Sequence, residues 1–215
     1  MDASYWADVF TRVVKLSKRW SSEQARCEIV LGALAEFHGR LTQLAHDPPA
    51  PQQVLGSDVM SLLRAKHVRG VENLMEAMHS SCRKFEAVHG ELSDLHSSLW
   101  NRYETLLKEH HQVRDITTGS AFEQPTWSIV GAGRGLDAQP VGLPSSLELI
   151  EWIREIDAQY TAELLLKLEL LETVDISMST DALHNVVRLW VLQPHLSPQA
   201  LRRAASMAES LTLPE

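Results

Sequence analysis

The chain has 215 residues, enough for one large domain or two small ones, and its 44% hydrophobic content is ordinary for a protein that folds around a core. A net charge of −8 argues against nucleic acid as the main ligand, and no apolar run approaches the ~20 residues needed to span a bilayer. Two cysteines, Cys27 and Cys82, without a signal peptide point to a reducing nuclear or cytoplasmic compartment, with free thiols and no disulfide.

In chain order, Trp6, Phe10, Val13, Val14 and Trp20 follow helical spacing from a cap at Ser4, and Ile29, Leu31, Leu34, Phe37, Leu41 and Leu44 continue it past Ser21-Ser22, as one kinked helix or two. Asp47-Pro48-Pro49-Ala50-Pro51 ends this run, because proline lacks the backbone donor and disfavours helix in the residue before it. After a turn through Gly56, Ser57 or Asp58 can cap a second helix to about Asp115, giving an antiparallel hairpin.

The second helix carries a heptad seam. Val71, Met78, Phe85, Leu92, Leu99, Leu106 and Val113 recur at every seventh position, with Leu74, Val88 and Leu95 at the intervening fourth positions. Ser81, Arg102 and Glu109 interrupt the second set, which favours an unlike partner over a copy of the same chain. The seam predicts a rod roughly 65 Å long. An unpaired stripe of that length exposes more apolar surface than a monomer tolerates, so a second helical protein forming a heterodimer is expected.

Residues 117–144 hold five Gly and three Pro and almost no periodicity, and read as a linker with an apolar island at Phe122, Trp127, Ile129 and Val130. Ser145 with Glu148 is a capping-box signature. It opens a third helix with Leu147, Ile150, Ile153, Ile156, Tyr160, Leu164, Lys167 and Leu171 along one side. Between Ser145 and Asp175 eight acidic residues face only Arg154 and Lys167, so this helix is solvated or meets a basic partner. A fourth helix runs from Thr180 through Leu183, Val187 and Trp190 to a stop at Pro194. Ser197-Pro198 caps a fifth, with Leu201, Ala204, Ala205 and Ala208 inward. The whole is all-α: a long helical hairpin with a coiled-coil seam over 1–116, a linker over 117–144, and a C-terminal group of helices packed as a bundle over 145–215.

No enzymatic chemistry stands out. Glu76-x-x-His79 and Glu86-x-x-His89 have the spacing of di-metal bundle ligands, but they lie on one helix, roughly 15 Å apart, and outside the seam. Gly131-Ala132-Gly133-Arg134-Gly135 lacks the strand, helix and Gly-Lys-Ser/Thr ending of a phosphate loop. Arg12, Lys15, Lys18 and Arg19, and Arg202-Arg203, are basic patches without interleaved aromatics, so direct nucleic-acid binding is not expected. No catalytic residue, cofactor or metal is assigned.

The segment Trp152 to Glu172, with Tyr160 ahead of the run Glu163-Leu-Leu-Leu-Lys167, followed by Leu189-Trp190-Val191-Leu192-Gln193-Pro194, resembles the C-terminal half of the cyclin-dependent kinase 2-interacting protein family. The resemblance implies a non-enzymatic nuclear adaptor that pairs with a second helical protein on an AAA-type ATPase assembly. It also implies links to cyclin-dependent kinase, DNA replication, checkpoint signalling and ribosome maturation. Candidate partner-binding residues are Val71, Leu74, Met78, Phe85, Val88, Leu92, Leu95, Leu99, Arg102 and Leu106 on the seam, with Trp152, Tyr160, Leu164 and Trp190 beyond it. A coiled-coil tethering or kinetochore-type subunit is the alternative, and a metal-dependent helical bundle the third.

Overall fold

A computed structural model describes residues 2–46, 57–118, 144–175 and 177–212. Among the described residues every regular element is helical: α1 (Ala3–His46), α2 (Ser57–Thr118), α3 (Ser146–Thr173), α4 (Thr180–Leu192) and α5 (Pro198–Thr212). The turn at Gly56, Trp127 and the Gly131–Gly135 run lie outside the described residues.

Local chemistry explains the ends. The cap of α1 is Asp2, not Ser4: its Oδ1 accepts from the Tyr5 N–H at 2.8 Å. The Ser21-Ser22 pair does not break α1, since the Ser21 hydroxyl donates back to the Ser17 carbonyl at 3.0 Å and the helix continues. At α3 the expected capping box forms in both directions. The Ser145 N–H donates to Glu148 Oε2 at 2.7 Å and the Glu148 N–H donates to Ser145 Oγ at 3.3 Å. These bonds to Ser145 hold the Glu148 carboxyl below the ordinary carboxylate range. Ser179 caps α4 by accepting from the Ala182 N–H at 3.2 Å, and Gln193 ends it in the left-handed region at φ 44°.

The described residues fall into two compact units that are not consecutive in sequence. The first draws on Met1–Leu16, Gly90–Ala158 and Pro198–Glu215, the second on Ser17–His89 and Gln159–Ser197. In the first unit the core is made by Trp6, Phe10 and Val13 of α1, Leu92, Leu95 and Leu99 of α2, Leu149, Ile150, Ile153 and Ile156 of α3, and Ala204 of α5. Its rim carries His96 Nδ1 at 3.5 Å from Asp157 Oδ2, and the Arg203 guanidinium 3.2 Å over the Trp152 ring. In the second unit the core is made by Trp20, Cys27, Leu31 and Leu34 of α1, Val71, Met78, Cys82, Phe85 and Val88 of α2, Tyr160, Leu164, Leu170 and Leu171 of α3, and Leu183, Val186 and Trp190 of α4.

Three expected inward positions are displaced. Ile29 is 76% exposed and Leu147 41% exposed, and Val186 rather than Val187 is buried on α4. Each error is one or two positions on a helix, where a step of one residue turns a side chain by about 100°.

Candidate protein-interaction site

Most of the seam is interior to the chain. Val71, Met78, Phe85, Val88, Leu92, Leu95 and Leu99 are all buried, and Leu74 and Leu106 are half-buried. The chain's own side chains fill this face: in the second unit the Trp20 ring lies 4.3 Å from that of Phe85, centroid to centroid. At the buried positions the packing is supplied within the chain itself, while Leu74 and Leu106 keep part of their surface open. The Val113 side chain lies outside the described residues. Arg102 is exposed and its guanidinium sits 4.3 Å over the Tyr5 ring.

The other candidates divide. Trp152 is half-buried beneath Arg203, whereas Tyr160, Leu164 and Trp190 are buried in the second unit. Around them the structure assembles the residues on which the family resemblance rests. Lys167 and Glu163, one helical turn apart on α3, are both fully buried and form an ion pair at 3.0 Å. The Lys167 ammonium also donates to the Trp190 carbonyl at 3.2 Å and lies 4.7 Å from the Trp190 ring and 5.5 Å from that of Phe85. Gln24 Nε2 donates to the same carbonyl at 3.1 Å. That carbonyl belongs to the last turn of α4, where no helical N–H remains to meet it, so two side chains replace the missing donor.

The connection after α4 is held by the same helix. Glu163 Oε2 accepts from the His195 N–H at 3.3 Å and Gln159 Oε1 from the Ser197 N–H at 2.9 Å. Trp20 Nε1 donates to Gln193 Oε1 at 3.1 Å. The Tyr160 ring meets that of Trp20 edge-on at 4.9 Å. The Glu163-to-Lys167 run and the Trp190-to-Pro194 run are thus two halves of one clasp that fixes the end of α4.

Burial lowers the Lys167 pKa, opposed by its attraction to Glu163. Burial likewise raises that of Cys27, and raises Cys82 to about 11, with Cys27 and Glu86 adding to it. Both thiols are buried and stay protonated at neutral pH, which makes them poor nucleophiles. Of the His residues singled out by spacing, His89 Nε2 lies 2.8 Å from Thr161 Oγ1, while Glu76 and His79 lie together on the exposed side of α2. Among the described residues no three His, Cys, Asp or Glu side chains are grouped so as to hold a metal ion.

Exposed apolar side chains lie next to the clasp. With Trp190 turned in, its neighbours Leu189, Val191 and Leu192 are turned out, 42%, 44% and 59% exposed, and Leu165 of α3 is exposed as well. Periodicity marked Trp190 and missed its neighbours, although a helix end with four apolar residues in succession must expose some of them.

No helix among the described residues is long and apolar enough to cross a membrane. Comparison with curated proteins gives no match. Residues 3–126, more than half of the chain, match the family described as ribosome biogenesis protein C1orf109-like, and the chain belongs to that family.

Proposed function

We propose that the chain is a non-catalytic adaptor in ribosome maturation, working in the nucleus as one subunit of a larger protein assembly. The observation that carries this reading is the family match over residues 3–126. In finer detail, the adaptor pairs with a second helical protein and, through that heterodimer, joins an AAA-type ATPase. The resemblance of the Glu163-to-Lys167 and Trp190-to-Pro194 runs to the cyclin-dependent kinase 2-interacting protein family supports that pairing, and is also the support for links to a cyclin-dependent kinase, replication and checkpoint signalling. Because the seam is largely buried within the chain, this reading puts the pairing surface elsewhere. Leu189, Val191 and Leu192 at the exposed end of α4 are the apolar anchors this reading assigns.

Two measurements test it. Depletion of the protein is expected to accumulate ribosomal RNA precursors, and normal precursor processing after depletion would sink the maturation role. Co-expression with a helical member of the resembled family is expected to give one peak on size exclusion, split by Leu189→Asp with Leu192→Asp. Two separate peaks for the unaltered proteins would remove the heterodimer while leaving the maturation role standing.

A further inference from the structure

The second unit carries a groove unrelated to the clasp. Its floor is Val71, Met75 and Val174. Its rim is Glu72, Glu76, His79 and Arg83 on α2 and Asp175 just past the end of α3, and it encloses about 650 Å³. That volume accommodates several side chains of a docked segment. Val71 is buried and Met75 and Val174 half-buried, so the floor is apolar with one flexible, polarizable side chain able to adjust to what enters.

The rim is unevenly charged: three carboxylates stand against one guanidinium. Asp175 is fixed in place by the Ser177 N–H at 3.2 Å and the Ser177 hydroxyl at 2.9 Å. Glu72 and Glu76 are exposed, one turn apart, and have no hydrogen bond or ion pair among the described residues. A carboxylate pair held near a third carboxylate and an apolar floor is complementary to cations attached to an apolar stem. Glu172, near the end of α3 in the same unit, is a further exposed carboxylate. Nucleic acid and anionic membranes are repelled by the same charges.

We propose that this groove docks a basic amphipathic segment of a partner protein, with Lys or Arg on Glu72, Glu76 and Asp175 and an aliphatic side chain over Met75. The partner is distinguished by its chemistry alone, and the site is independent of the pairing surface assigned to α4. Aliphatic burial supplies affinity, while the carboxylates select for positive charge and speed encounter.

The test uses the full chain and a fluorescent synthetic peptide rich in Lys and Arg with Leu at every fourth position, followed by anisotropy. Saturable binding is expected to weaken at least about tenfold in Glu72→Lys with Glu76→Lys, roughly 1.4 kcal/mol. Glu169→Lys, the same charge change on exposed α3, is expected to have little effect. Circular dichroism checks that the variants fold; Glu76→Gln, which adds no charge, should give a smaller loss in the same direction. Equal weakening by Glu169→Lys, equal binding of a peptide with Ser in place of Leu, or no binding at all would each overturn the proposal.

Discussion

The two compact units fill their interiors by different means. In the first, the buried set is hydrocarbon and aromatic apart from Ser146, with charges confined to rim contacts such as Arg203 over Trp152. In the second, Lys167, Glu163, Gln24 and Ser81 are buried among rings and aliphatic side chains, each with a polar partner. Apolar packing is non-directional and tolerates small shifts, whereas an ammonium that must meet one carboxylate and one carbonyl accepts a single register. The first unit gains stability from burial; the second uses burial and in addition fixes where α4 stops.

Substitutions can separate these two modes. The largest effect is expected from Leu92→Asp with Leu99→Asp, which buries two charges in an apolar core and should abolish the cooperative melt followed by circular dichroism. A retained sharp transition would show that this core can open to water. Next, Lys167→Met strands the Glu163 carboxylate and should cost about 3–5 kcal/mol in denaturant unfolding, while adding Glu163→Gln should restore most of the loss. If the double variant is as unstable as the single one, the pair is not acting as a unit. Ser145→Ala, which removes one half of a surface capping box, should cost about 1 kcal/mol.

The smallest effect lies with Glu23. Burial pushes its pKa up, but hydrogen bonds from Ser81 and Lys84 and the charges of Lys84 and Arg26 outweigh this and leave it below the ordinary value. A depressed folded pKa stabilises above the unfolded carboxylate value and loses that contribution as pH falls through the folded one. Acid unfolding of Glu23→Gln should lack this part of the pH dependence. Identical curves for the two proteins would assign the acid sensitivity to other groups.

Much of the fold was legible because its signals are local. The reciprocal Ser145 and Glu148 bonds, the stop at Pro194 and the proline at the start of α5 all follow from chemistry within a few residues. The seam was legible as a buried stripe, from Val71 through Leu99 at period seven. What covers it was not. Periodicity records that a face avoids water and carries no information on whether the cover comes from another protein or from residues far along the same chain. The clasp was missed for a related reason. Lys167 was recognisable as lying on the inward side of α3, but the Trp190 carbonyl it meets is a backbone atom with no sequence signature. On α4 the periodicity singled out Trp190, which is buried, and passed over Leu189, Val191 and Leu192, which are exposed.

The interleaved make-up of the second unit has a consequence for the birth of the protein. Ser17–His89 leaves the translating ribosome well before Gln159–Ser197 exists. At ~5–20 residues per second, Trp20 and Phe85 wait some seconds for Tyr160, Lys167 and Trp190 to arrive. During that interval the nascent chain displays an uncovered apolar stripe, the kind of surface that trigger-type chaperones shield. A stop codon shortly after residue 126 would make the interval permanent, so a truncated product should aggregate or be degraded even though it contains the whole family-matching segment.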